Sequence, residues 1–216
     1  MLVNGRPLAT RWIAENVPAI VEAWVPGERG GQAVAEILFG DHSPSGKLPV
    51  SVPRHAGQLP VTYDQPPSKA YWVKEGWGSR YADLEPTPLF AFGHGLTYTT
   101  FELAGLRLGA PTMPRDGTID VSLDVRNTGP RAGTETVQVY VRDRVSSLTT
   151  PVQRLRGFRR VALSPGETAA VTIPIHARDL AFYDRSARRV VEPGEFEVMV
   201  GTSSADIRLR GTFTVR

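Results

Sequence analysis

The sequence predicts a mainly β protein: an antiparallel β-sandwich over residues 101–216, preceded by an incomplete α/β segment. Three observations carry that prediction. From Phe101 onward, apolar and polar residues alternate in short runs, the period of strands with one buried face. Turn residues separate those runs at regular intervals. Before residue 65 the period changes, and apolar residues recur at helical spacing.

The strand runs can be taken in order. Val121, Leu123 and Val125 share one face, with Ser122, Asp124 and Arg126 on the other. Val137, Val139 and Val141 repeat the pattern, as do Val171, Ile173 and Ile175, then Phe196, Val198 and Val200. Ile207, Leu209, Phe213 and Val215 close the chain. Asp116-Gly117, Asn127-Thr128-Gly129, Ser164-Pro165-Gly166 and Glu192-Pro193-Gly194 supply the turns. This half has neither a Cys pair nor a Trp, which excludes an antibody-type core and leaves a fibronectin-like one.

Residues 1–64 read as α/β. Ile13, Val17, Ile20, Val21 and Trp24 predict one amphipathic helix ended by Pro26-Gly27. Residues 31–39 predict a second, with Val34, Ile37 and Leu38 on one side and Gly40 as its stop. The loop DHSPSGK leads to a short apolar strand, LPVSV, and Met1-Leu2-Val3 reads as the end of a buried strand before an Asn-Gly turn. Two helices and two short strands cannot close a sheet or bury both helix stripes. The expectation is a truncated layer, with the remaining strands supplied upstream and the stripe left exposed. Between the halves, residues 65–100 are rich in Pro, Gly and aromatics, without a sustained period. They read as an ordered connector pinned to its neighbours.

Composition narrows the function classes. The 216 residues carry a formal charge of +3 with acids and bases interleaved, and no apolar run approaches the roughly 20 residues of a membrane span. The opening MLVNGRPLAT is not read as a signal peptide, and no compartment is assigned. Absence of Cys removes disulfides, thiolate catalysis and Cys-zinc sites. The densest Arg groupings are Arg154, Arg156, Arg159 and Arg160, then Arg185, Arg188 and Arg189. Solvated strand edges and turns explain them better than a phosphate-binding face, so nucleic acid is not an expected partner. His42, His55, His94 and His176 lack ligand spacing and read as surface or capping residues, and no cofactor or metal is expected. Gly40 to Lys47 fails as a phosphate loop, because five residues separate Gly40 from Gly46 and Leu48 stands where Ser or Thr is needed.

Several ordered motifs together resemble the C-terminal end of family 3 glycoside hydrolases of β-glucosidase type. The run WVPGERGGQAVAEILFGDHSPSGKLPVSVPR (24–54) is similar to the end of that family's α/β sandwich domain. PLFAFGHGLTYTTFE (88–102) resembles the passage into its fibronectin type III-like domain. VSLDVRNTG, ETVQVYVRD, PVQRLRGFRRVALSPGE and VEPGEFEVMVGTSS follow in the family's order. The resemblance implies a parent enzyme that hydrolyses O-glycosyl bonds, often secreted or periplasmic and sometimes cytoplasmic. Its nucleophilic Asp lies on an N-terminal barrel, and its acid/base Glu lies upstream of the stretch matching Met1. Retaining hydrolysis needs two carboxyl groups about 5 Å apart. No catalytic residue is therefore assigned in this chain. It is expected to be structural and inactive alone, with the missing barrel and α/β portion as its partner.

The remaining candidates are substrate contacts. Tyr71, Trp72, Glu75 and Trp77, with Tyr81 close by, place aromatic faces beside an acid, a composition that suits a sugar ring of an oligosaccharide or β-glycoside. Anchoring of the connector is the competing role of the same aromatics. Glu75 with Asp83 is the one acid pair in the connector, and no motif sets their separation. Glu28 reads as a favourable charge at the start of the second helix. The functional alternative is a stand-alone, non-enzymatic fibronectin type III-like module binding carbohydrate or protein. Such a module should carry polar residues on its helix faces, and this sequence keeps apolar ones.

Overall fold

The computed structural model describes residues 1–67 and 83–216. The chain opens with β1 (Leu2–Asn4), α1 (Arg11–Asn16), β2 (Val21–Trp24) and α2 (Gly30–Phe39). β1 and β2 pair in parallel, Leu2 opposite Val21 and Val3 opposite Glu22, with α1 as the crossover.

This corrects the long helix expected through Trp24. Pro18 cannot donate to the helix ladder and clashes with the preceding turn, so α1 stops at Asn16. The β-branched pair Ile20-Val21 then enters a strand. Ile13, Val17, Ile20 and Trp24 do not form one stripe, and each is half-buried. The most exposed large apolar residues of this segment are others: Trp12, Val25, Leu38 and Phe39, which are 70%, 82%, 64% and 84% exposed. The second helix and its stop are as expected, with Gly40 in the left-handed region at φ 82°.

LPVSV forms no strand either. Pro49 and Pro53 remove two amide donors, and what remains is a single bridge between Val52 and Phe90. Backbone bonds from Leu48 N to the His94 carbonyl (2.8 Å) and from Gly93 N to the Leu48 carbonyl (2.8 Å) extend that contact. Residues 47–52 and 89–94 thus run side by side.

From Phe101 the chain is a two-layer sandwich. β3 (Phe101–Leu108), β5 (Thr118–Asn127) and β8 (Thr168–His176) form one antiparallel sheet. β4 (Thr112–Met113), β6 (Gly133–Asp143), β7 (Arg154–Leu163), β11 (Gly194–Gly201) and β12 (Ile207–Val215) form the other, in the order β4-β12-β11-β6-β7. A two-strand ribbon, β9 (Phe182–Tyr183) with β10 (Arg189–Val190), projects after the short helical turn Ala177–Leu180. The alternation read from the sequence faces inward as expected. Val121, Leu123, Val125, Val137, Val139, Val198 and Val200 are fully buried in one core. Removing each such side chain from water stabilises the fold by about 1.5–3 kcal/mol. Asn127, buried at the expected turn, ties the strands at that end. Its Nδ2 donates to the Arg131 and Leu163 carbonyls, and its Oδ1 accepts from Thr99 Oγ1 and Gly129 N.

Candidate functional site

By the period of β6, Tyr140 points outward, opposite to Val139 and Val141. The structure buries that face: Thr136, Gln138 and Tyr140 are 8%, 3% and 0% exposed, and neighbouring Glu135 is buried as well. The cover is the preceding chain. Tyr63 stacks on Phe92 (centroids 4.1 Å) and meets Tyr140 edge-on at 5.8 Å. Tyr140 donates to Gln138 Oε1 at 2.6 Å, and Gln138 Nε2 donates to the carbonyls of Thr202 (2.6 Å) and Gly93 (3.2 Å). Burial of the phenol pushes the Tyr140 pKa up, so it remains a neutral donor. Gly93 is required here twice over. Its φ is +80°, and a Cβ would lie 2.2 Å from Gln138 Oε1.

A buried ion pair sits beside this cluster. Lys47 Nζ lies 2.8 Å from Glu135 Oε1 and also donates to the Gly95 carbonyl at 3.0 Å. His94 is half-buried and its ring stacks on Phe90 at 5.5 Å, a correction to its reading as a surface residue. Burial chiefly, and the Lys47 charge next, hold its pKa below the usual imidazole value, while Asp206 acts the other way. His55, by contrast, caps the short turn Ala56–Gln58 by accepting from Gly57 N.

A depressed His pKa means that the unfolded chain takes up the proton first as pH falls. Stability is then fully present above about pH 6.5 and is lost as pH drops from there towards the folded-state value. Thermal melts from pH 8 to pH 5 should therefore show Tm falling below about pH 6.5. His94→Leu should flatten that part of the profile, and an unchanged slope in the variant would assign it to another group.

Tyr71, Trp72, Glu75, Trp77 and Tyr81 lie outside the described residues. The flanks of that stretch are held firmly. On one side Val152 N donates to the Gln65 carbonyl at 3.0 Å, and Leu155 N donates to Tyr63 Oη at 3.3 Å. On the other, buried Gln58 donates to the carbonyls of Glu85, Pro86 and Thr87, and Arg54 bonds Thr87. Asp83 is exposed and contributes to the field on Arg11, whose closer partner is Glu15 at 2.8 Å. Glu28 is exposed just ahead of α2, at the position read as a favourable helix-end charge.

One acid pair invites a catalytic reading. Burial raises the Asp143 pKa, with Glu192 a weaker contributor, and Ser147 lowers that of Glu192. Glu192, however, spends both oxygens on Ser147 N and Oγ, and Asp143 accepts from Val145 N. The pair pins the 143–147 loop. Among the described residues, no cluster of His, Asp and Glu could hold a metal ion, and no helix is long and apolar enough to cross a membrane.

The residues missed at the sequence level are Gln58, Gln138, Lys47 and Glu135, which join the connector to the sandwich. One signal for them was available. The outward positions Thr136, Gln138 and Tyr140 of β6 carry no charge, whereas those of β5 include Asp124 and Arg126. Uncharged outward positions suit a face that another segment covers.

A three-stranded and a five-stranded sheet, joined through a buried polar seam to the segment that follows a small α/β layer, define a β-sandwich protein with an α/β attachment. The glycosyl hydrolase family 3 C-terminal domain matches residues 1–98, and the fibronectin type III-like domain matches 135–204. A periplasmic β-glucosidase of Salmonella typhimurium is 42% identical over 99% of this chain, and a β-xylosidase of Formosa agariphila is 45% identical over 94%. The chain spans 28% of the length of each. Among solved structures, a β-glucosidase of Erythrobacter marinus superposes with TM-score 0.90 at 40% identity, covering 100% of this chain and 28% of that one. A β-glucosidase of Listeria innocua gives TM-score 0.91 at 33% identity, with 99% and 30% covered. The chain belongs to glycosyl hydrolase family 3 and corresponds to the C-terminal part of its members.

Proposed function

We propose that this chain is the structural, C-terminal part of an enzyme that hydrolyses β-linked glucosides or xylosides, and that it is inactive by itself. One observation carries the reading: β1 and β2 form a parallel pair that no further strand joins among the described residues. Parallel sheets are stable when both faces are covered and several strands contribute. The rest of the enzyme, its barrel and remaining α/β portion, is the partner that would complete this sheet. Exposed Trp12, Val25, Leu38 and Phe39 are consistent with that partner and argue against a free-standing binding module. Within this reading, residues 1–64 are the end of the α/β layer, 65–100 the connector and 101–216 the sandwich. Tyr71, Trp72, Glu75 and Trp77 are its candidate contacts to the sugar.

Glycosyl transfer to an enzyme carboxylate needs a nucleophile and a second carboxyl that protonates the leaving oxygen. By the family resemblance, the positions that supply them lie upstream of the stretch matched here. Purified chain should not release nitrophenol from aryl β-glucosides or β-xylosides above background. Co-expression with the Salmonella β-glucosidase lacking its matching C-terminal segment should restore turnover, and Trp72→Ala should then raise KM more than it lowers kcat. Turnover by the chain alone, abolished in Glu75→Gln or Asp83→Asn, would overturn this reading.

A further inference from the structure

The two Arg groupings of the sequence do not behave alike once folded. Arg160 is satisfied by Ser45 Oγ at 2.8 Å, and Arg188 by Asp184 at 2.9 Å. Arg154 and Arg156 instead lie at the first end of β7, and Arg189, on β10, adds its charge to the field on Arg156. This end of β7 carries a β-bulge. Val139 pairs with Gly157 and Tyr140 with Leu155, which leaves Arg156 as the extra residue on the bulged strand. Bulges re-aim side chains, and this one turns Arg156 towards the flank of the sandwich. There it meets the Tyr63 side, where Leu155 N reaches Tyr63 Oη, and the Asp179 side, next to the β9–β10 ribbon.

The resulting charge balance is uneven. Arg156 is half-buried and has no hydrogen bond or ion pair with any described residue, and the same holds for Arg154. Arg189 spends one nitrogen on the Arg178 carbonyl at 2.6 Å. Among the described residues, Asp179 is the carboxylate that acts on Arg156, and it stands 3.9 Å from Arg178. Burial lowers the Arg156 pKa, Arg154 lowers it further and Arg189 adds to this, against Asp179 and Tyr63. A planar guanidinium with five donors, partly withdrawn from water among like charges, is costly without an acceptor. A bidentate carboxylate is the group that matches its fork.

We propose that Arg156, flanked by Arg154 and Arg189, is a binding site for the carboxylate of an acidic sugar. The sugar part of this assignment rests on the glycosidase reading above. The carboxylate part rests on the guanidinium cluster alone. A uronic acid unit would place its carboxylate on Arg156 and its ring against the Tyr63 side of the flank.

The test is titration of the full chain with D-glucuronate, D-glucose and sulfate at matched ionic strength, followed by calorimetry and amide NMR. Glucuronate should bind saturably and shift amides of residues 154–157 and 189–190, and glucose should not. Arg156→Gln should weaken glucuronate binding by roughly tenfold or more, and Arg156→Lys by less. Arg107→Gln, on β3 at the opposite edge of the sheet from β8, should leave it unchanged. Without ligand, Arg156→Gln should be at least as stable as the parent, because it removes an uncompensated charge. Several outcomes would overturn the site: no saturable binding, shifts elsewhere, or a destabilised Arg156→Gln. An equal response to sulfate would overturn the carboxylate assignment. Binding is read on the chain itself, so an inactive assembled enzyme would sink the glycosidase reading and leave this result standing.

Discussion

Replacing Lys47 by Met should cost the chain about 3–5 kcal/mol, the usual penalty for breaking a buried ion pair from one side. The two side chains are 13% and 7% exposed, so solvent screens the pair little. Glu135 would keep only the Thr136 amide, which donates to it at 2.7 Å, and the Gly95 carbonyl would lose its donor. Lys47 belongs to the segment before the connector and Glu135 to β6, so the loss is also a loss of docking between them. Urea unfolding is the direct measurement. The double variant Lys47→Met with Glu135→Leu should recover much of the stability, because an apolar pair of similar volume needs no compensation. A Lys47→Met cost under about 1 kcal/mol would mean that the pair is solvated, as surface pairs are.

Gln138→Leu should be the second severe change, about 3 kcal/mol or more, by summing buried groups left unpaired at about 1–3 kcal/mol each. The Tyr140 hydroxyl, the Thr202 carbonyl and the Gly93 carbonyl all lose their partner at once. Leu fits the site in size, so packing alone predicts a mild effect and the two accounts separate cleanly. Tyr140→Phe, which removes one donor and keeps the ring on Tyr63, should cost less, about 1 kcal/mol. Limited proteolysis adds a positional readout, since residues 89–95 should become cleavable in Gln138→Leu before the sandwich does. Equal stability of Gln138→Leu and Tyr140→Phe would show that the amide bridge holds nothing together.

The candidate site was legible only by composition. Aromatics and an acid between Tyr71 and Tyr81 stand out in any reading, but composition places no side chain relative to another. Asp143 and Glu192 show the same limit: nothing in their 49-residue separation brings them together, and the fold does so for a structural end.

What the sequence determined by itself is the sandwich. A strand with one face in a core must alternate, so the inward runs at Val121–Val125, Val137–Val141 and Val198–Val200 announce themselves locally. The same holds for Gly40, where the helix end needs a left-handed residue. Tertiary structure alone decided the rest. Ile20-Val21 fits a helix stripe by spacing, and only a parallel neighbour at Leu2–Val3, with Pro18 between, makes it a strand. Tyr140 faces outward by period, and only the chain that returns through Tyr63 and Phe92 makes outward mean buried. Arg156 looks like a solvated edge residue until the bulge opposite Val139 and Tyr140 redirects it. Period reports the geometry of one element, whereas partners distant in sequence set what that element's second face meets.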